Sequence, residues 1–248
     1  MGTVVSLAVD GGALPPVAVA GAVDAACAEL HRADRIFSTW TAWSPMSRLR
    51  RGVARLDDFP DDVAGELAGV LALCADARRL ADGWFDPWAM PGGVDPTGLV
   101  KGWALERAMA VLDGAGVRAA VVNGGGDVVV HGPAPDPGGW RIGVRHPWRP
   151  DGLACVVAVD HALATSGGYE RGAHLVDPRT GEHTAGAVAS ASVTGPSLAI
   201  ADALATGLAV GGEQALAAVA RAPGYAGYLI GLDGSETATE GFPFAPGP

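Results

Sequence analysis

One helix-like run, Ala199-Ile200-Ala201-Asp202-Ala203-Leu204-Ala205-Thr206, carries a single carboxylate among apolar residues. A carboxylate left unpaired in such surroundings is costly. Thr206 lies four residues after Asp202, which puts both oxygens on one helix face. A carboxylate and a hydroxyl are hard donors that suit Mg²⁺, with phosphate and water completing the shell. The competing reading has Asp202 paired with an arginine or capping a neighbouring turn. A second segment, Asp95-Pro96-Thr97-Gly98-Leu99-Val100-Lys101-Gly102, predicts a helix capped by Thr97. Lys101 then falls in the first turn, where the helix dipole disfavours a cation, so an anionic partner such as phosphate is one reading and a solvated lysine the other.

Two further segments carry polar groups in turn-rich contexts. Ala164-Thr165-Ser166-Gly167-Gly168-Tyr169-Glu170-Arg171 leads to His174-Leu175-Val176-Asp177-Pro178-Arg179-Thr180-Gly181. The glycine pair allows a sharp turn with exposed amides, and His174 is placed to act as a general base or a ligand contact, although a lone histidine is more often structural. Gly83-Trp84-Phe85-Asp86-Pro87-Trp88 offers an aromatic wall with a polar handle, and Phe37-Ser38-Thr39-Trp40 adds a further ring; for Phe85 the core reading is preferred. The common templates are missing. Asn123-Gly124-Gly125-Gly126-Asp127 lacks the glycine spacing of a dinucleotide fingerprint, and there is no Walker lysine, HExxH or GxSxG.

The elements that must position these residues follow from periodicity. Residues 3–9 predict a strand and 17–36 a helix with Val19, Val23, Cys27 and Leu30 near one face. Asp61-Asp62 open a second helix running to Asp82-Gly83, acidic residues suiting its first turn. A third helix runs from about Leu99 to Gly114–Gly116. Strands are expected at 117–122, 128–131, 140–145, 153–159, 187–194 and 225–232, and apolar helices at 197–210 and 213–221. Strands and helices mix without strict βαβ alternation, which predicts an α+β (mixed α/β) architecture whose turns carry the site. Residues 1–234 are expected to form a single domain, and the polar, Pro/Gly-rich tail 235–248 a loosely held end.

Composition narrows the function classes. With 17 Lys+Arg against 27 Asp+Glu, the 248-residue chain has a formal net charge of −10. That balance argues against nucleic acid and anionic membranes as partners, both of which call for basic residues. Hydrophobic residues at 49% and charged residues at 18% describe a globular chain. Cys27, Cys74 and Cys155 form no CxxC pair, so a zinc or redox site is not expected. Met1-Gly2-Thr3 runs directly into an apolar stretch without a basic leader, and Asp24 and Asp202 interrupt the longest apolar runs. The expectation is a chain without a transmembrane segment, cytoplasmic as given, or exported if a leader was trimmed.

Taken in order, the segments resemble the FAD:protein FMN transferase (ApbE-like) family. Met1-Gly2-Thr3 resembles its opening, and Phe37 to Trp40 with Ser44-Pro45-Met46-Ser47-Arg48-Leu49 its flavin-side loop. Gly83 to Pro87 is similar to its GxFDP element, Asp95 to Gly102 to its DxxGxxKG element, Asn123 to Asp127 to its glycine turn, His174 to Gly181 to its HxxDPxTG turn, and Asp202 to Thr206 to its DALAT helix. The chain departs from the pattern at Trp40, where Tyr is frequent, at Arg50, where Asn is common, and at Pro96-Thr97, in place of Leu-Gly.

The resemblance implies an ApbE-like fold, mixed sheets flanked by helices with an FAD site in a cleft between lobes. It implies Mg²⁺-dependent transfer of FMN from FAD to a Thr (or Ser) hydroxyl of an acceptor flavoprotein, forming a phosphoester and releasing AMP. Asp202 and Thr206 would hold the metal with carbonyls of Gly98 and Ala205. Met1, Trp40, Trp84, Phe85, Asp86, Asp95, Lys101, His174 and Leu175 would line the FAD site. Lys101 would add positive charge, and His174, or less readily Asp177, would accept the acceptor's proton. An FAD pyrophosphatase that gives FMN and AMP uses the same residues, and a non-catalytic FAD-binding protein is the alternative of another class.

Overall fold

The computed structural model describes residues 2–167 and 175–246. Its centre is a seven-stranded sheet in the order β1-β2-β3-β6-β9-β10-β11, every pairing antiparallel. The strands are β1 (Val5–Asp10), β2 (Ala119–Gly124), β3 (Asp127–His131), β6 (Ala162–Ser166), β9 (Val188–Gly195), β10 (Ala226–Gly231) and β11 (Glu236–Ala238). A three-stranded sheet joins β4 (Trp140–His146), β5 (Arg149–Val159) and β12 (Phe244–Ala245), and β7 (Leu175–Asp177) pairs with β8 (Glu182–Thr184). The helices are α1 (Pro16–Phe37), α2 (Pro45–Arg50), α3 (Asp61–Leu80), α4 (Thr97–Gly114), α5 (Leu198–Gly211) and α6 (Glu213–Arg221). This is the mixed α+β architecture that the sequence predicts.

The central sheet is buried on both faces. Val129, Val122, Ala162, Ala164, Ala191, Val193 and Leu229 join the core under α1, α3, α4 and α5. Their neighbours Val128, Val130, Leu163, Tyr228 and Ile230 point the other way, into a second core closed by Val144, Val157, Val159 and Phe242. Period-2 alternation is thus apolar on both sides, which is why these strands read as continuous apolar runs. β2 and β3 close through Gly125-Gly126, both at positive φ (62° and 95°), as a two-residue hairpin turn requires.

The tail differs from expectation. The segment after Ser235 supplies β11 and β12, and Phe242 is buried against Tyr228 and Phe244 with ring centroids 5.5 and 4.8 Å away. Aromatic burial there outweighs a polar composition. The Trp- and Ser-rich segment after Phe37 also contains a helix, α2, capped by Ser44, whose hydroxyl accepts the Ser47 N–H at 3.0 Å.

Candidate functional site

α4 and α5 cross backbone against backbone. A Cβ on Gly102 would lie 2.4 Å from the Leu198 carbonyl oxygen, so only glycine fits at that crossing. The approach brings Asp202 on α5 within reach of α4, where its Oδ2 accepts the Gly102 N–H at 3.0 Å. Lys101, the preceding residue, places its Nζ 2.6 Å from Asp127 Oδ2 and 3.4 Å from Asp202 Oδ1. Asp127 opens β3 and is fully buried; its Oδ1 accepts the Thr165 N–H at 3.0 Å from β6. Three ionisable groups from two helices and the sheet therefore meet at one point. Burial pushes the Asp202 carboxyl well above the usual carboxylate range; Lys101 pulls it back and Asp127 pushes it further up.

The structure bears on three sequence expectations. Asp202 is paired with a lysine and a backbone amide, not with an arginine. Lys101 pairs with two carboxylates and is not a solvated lysine, and it also lines the cleft. Thr97 does not cap α4; it is the first helical residue, and Asp95 Oδ1 receives both its N–H (3.0 Å) and its hydroxyl (2.7 Å).

Above the cluster opens a cleft of about 630 Å³, within the range of about 300–1,000 Å³ usual for small-ligand and cofactor sites. Lys101, Asp202 and Thr206 lie in its lining, with Gly98, Asp95, Thr97, Phe85, Asp86, Trp84, Trp40 and Leu175. Trp40 stands at the rim, 95% exposed, whereas Phe85 is buried at 5% and belongs to core and cleft alike. Trp84 is gripped between elements: the Arg179 guanidinium stacks 3.6 Å from its ring centroid, and Gly211 on α5 leaves it room, a Cβ there meeting Cδ2 at 2.4 Å. Asp86 caps the short 3₁₀ turn Pro87–Ala89 by accepting the Trp88 N–H (2.9 Å), and it pairs with Arg78 at 2.7 Å.

Asp177 lies outside the cleft lining. Its carboxylate accepts the Arg179 N–H at 2.9 Å and the Arg179 guanidinium at 3.2–3.3 Å, which holds it below the usual carboxylate range. Ala205 is buried beside Thr206 and also lies outside the lining. His174 and Met1 lie outside the described residues. Sequence reasoning missed Asp127, Thr165 and His183. The signal for Asp127 is an acidic residue heading the apolar run Val128-Val129-Val130. His183 reaches the cleft lining because β8 pairs it with Val176, a register that short strands do not announce in sequence.

The profile of the ApbE family matches residues 1–93 and 89–229. The chain belongs to the ApbE family. A protein of Rhodobacter capsulatus named FAD:protein FMN transferase is 40% identical over 152 residues, 56% of this chain and 28% of that protein. A Vibrio cholerae protein of the same name is 34% identical over 139 residues, 52% of this chain and 42% of that protein. The chain thus spans less than half the length of either relative in these alignments. Among solved structures, the flavin transferase ApbE from Vibrio cholerae superposes with a TM-score of 0.79 at 22% identity, covering 98% of this chain and 95% of that one. The ApbE protein from Thermotoga maritima gives 0.80 at 24%, covering 97% and 95%. These likenesses establish the fold as that of ApbE proteins.

Proposed function

We propose that this chain transfers FMN from FAD to a threonine (or serine) hydroxyl of an acceptor flavoprotein in a Mg²⁺-dependent reaction that leaves a phosphoester and releases AMP. The observation that carries the reading is Asp202, a buried carboxylate held by Lys101 and Gly102 at the floor of an aromatic-rimmed cleft. Membership of a family with relatives named for this transfer supports it.

The residues present fit a magnesium ion. Asp202 and Thr206 both line the cleft, and Gly98 lacks the Cβ that would stand 3.4 Å from Thr206 Oγ1, so space is open beside the hydroxyl. Among the described residues no three His, Cys, Asp or Glu gather as a closed cage. A sparse set of hard oxygen donors, with substrate phosphate and water filling the shell, is how proteins usually hold Mg²⁺. Asp202 and Thr206 would hold the ion, with the carbonyl of Gly98; the Ala205 carbonyl, outside the lining, is not needed for it. Bound there, it would neutralise charge on the pyrophosphate oxygens.

The protein's own residues have distinct tasks. Lys101 keeps positive charge beside Asp202, favouring the carboxylate over the acid, and extends that charge to the cleft. The Gly102 N–H fixes the Asp202 rotamer. Trp84 and Phe85 give the flavin an apolar wall and Trp40 an aromatic face at the rim; Asp86, Asp95 and Leu175 complete the wall. In the transfer, the acceptor oxygen bonds to the FMN phosphorus, the bridging P–O bond breaks and AMP leaves as an anion. The hydroxyl proton passes to a base, a role we assign to His174. Asp177, tied to Arg179, shapes the turn that leads from it. Positioning supplies most of the acceleration in such transfers.

The test incubates the protein with FAD and Mg²⁺, with and without an acceptor bearing a threonine-containing flavinylation segment, and follows AMP and covalent flavin. Labelled acceptor and AMP, both lost in Asp202→Ala, support the reading. AMP with free FMN and no label makes the chain a pyrophosphatase, and no AMP overturns catalysis.

A further inference from the structure

We propose that Arg50 and Asp95 act as one unit, a positioning clamp that holds the Pro87–Asp95 wall of the cleft in its FAD-binding shape. The inference rests on the reading of the cleft as an FAD site.

Arg50 is the last residue of α2, and its guanidinium spends its donors on one wall. Nη1 pairs with Asp95 Oδ2, Nη2 donates to the Pro91 carbonyl, and Nε donates to the Gly92 carbonyl at 3.3 Å. The other Asp95 oxygen is taken by the Thr97 amide and hydroxyl, and the Asp95 N–H donates to the Pro87 carbonyl at 2.9 Å. Both charged side chains are only 18% exposed. The backbone closes the same joint. Gly93, at φ +107°, backs onto Arg50, and a Cβ there would lie 2.5 Å from the Arg50 carbonyl oxygen. Met90, Pro91 and Asp95 face the cleft from this wall.

The planar fork reaches a carboxylate and two carbonyls from three separate nitrogens, whereas the three donors of a lysine radiate from one. Asp95 therefore has two masters inside the protein, Arg50 and Thr97, and its effect on FAD runs through the wall it ties down. Both residues are positioning residues.

The test uses the full chain. FAD affinity is read from flavin fluorescence in EDTA, where no turnover occurs, and AMP release is then measured with Mg²⁺; circular dichroism melts monitor folding. The variants are Arg50→Ala, Arg50→Lys, Asp95→Asn and the Arg50→Ala/Asp95→Asn double. Loss of a charge-assisted hydrogen-bond set predicts a rise of about tenfold in FAD Kd and KM for Arg50→Ala and for Asp95→Asn. A purely positional loss leaves kcat within about threefold. The double variant should be no worse than the poorer single, and Arg50→Lys should recover little. If Arg50→Ala fails to fold, Arg50→Gln, which keeps two donors, takes its place. A double variant that loses the product of both single losses shows independent contacts with FAD and overturns the clamp. So does an Arg50 variant that binds FAD like the wild type. A wild-type protein that binds no FAD overturns the FAD reading of the cleft itself.

Discussion

Replacing Lys101 with methionine keeps the length of the side chain and removes its charge. The gross attraction at an effective dielectric of about 20 is about 6 kcal/mol to Asp127 at 2.6 Å and about 5 kcal/mol to Asp202 at 3.4 Å. Much of that offsets desolvation, since Asp127 and Asp202 are 0% and 3% exposed at their side chains. What remains after the substitution is Asp127 buried beside Asp202 without its cation, and breaking a buried pair in this way costs about 3–5 kcal/mol. For a chain of this size that lowers Tm by about 6–20 °C. The loss depends on pH, and its sign follows from Asp202. Its folded carboxyl is raised from 3.8 to about 8, so the stability it contributes is fully present below the unfolded value and is lost as pH rises through the folded one. Lys101 is the charge that lowers that value; without it the carboxyl stays protonated to still higher pH. The gap between Lys101→Met and wild type should therefore hold steady from about pH 4 to about pH 7 and widen as pH rises through about 8. Differential scanning fluorimetry in EDTA across that range measures it, the chelator preventing a divalent cation from replacing the missing charge. A variant melting within about 2 °C of wild type at pH 8, or a gap that widens on acidification, would refute the reasoning.

Other substitutions test neighbouring statements. Gly102→Ala puts a methyl 2.4 Å from the Leu198 carbonyl and must part α4 from α5; we expect a loss of about 2–3 kcal/mol by urea unfolding. Thr206→Val removes a hydroxyl while keeping shape, so the Mg²⁺ concentration for half-maximal AMP release should rise at least about tenfold, with the melting temperature little changed. Burial pushes the Cys74 thiol up to about 12, so a thiol reagent at pH 8 should leave it unmodified in the native protein and label it only in denaturant, as peptide mass spectrometry would show.

Much of this architecture is legible in the residues. α1, α3, α4, α5 and α6 follow from apolar periodicity and their end signals, and the β2–β3 hairpin from its glycines. β6 escaped because its apolar run, Ala162-Leu163-Ala164, is buried on both faces and lies against the segment whose Gly-Gly dipeptide marks a turn. The tail escaped because Phe242 and Phe244 act through partners on β10 and β5, far away in sequence. At the site, Asp202 and Thr206 stood out for being polar in an apolar helix. Asp127 did not, since its pairing with Lys101 arises only when α4 packs on the sheet. Long-range pairing of this kind leaves no local period to read.

The second core has a consequence for the order in which the chain matures. Every described cleft residue precedes Gly207, so the reactive half of the molecule is synthesised first. Tyr228, Ile230 and the rear of β3 wait for Phe242 and β12 before water is excluded from them. A protease that clips after β11 leaves every described cleft residue and the first core in the chain and removes Phe242 and β12 from the second. Such a product exposes a contiguous apolar surface of the kind that seeds association, and it would be lost to quality control before any defect in chemistry could show.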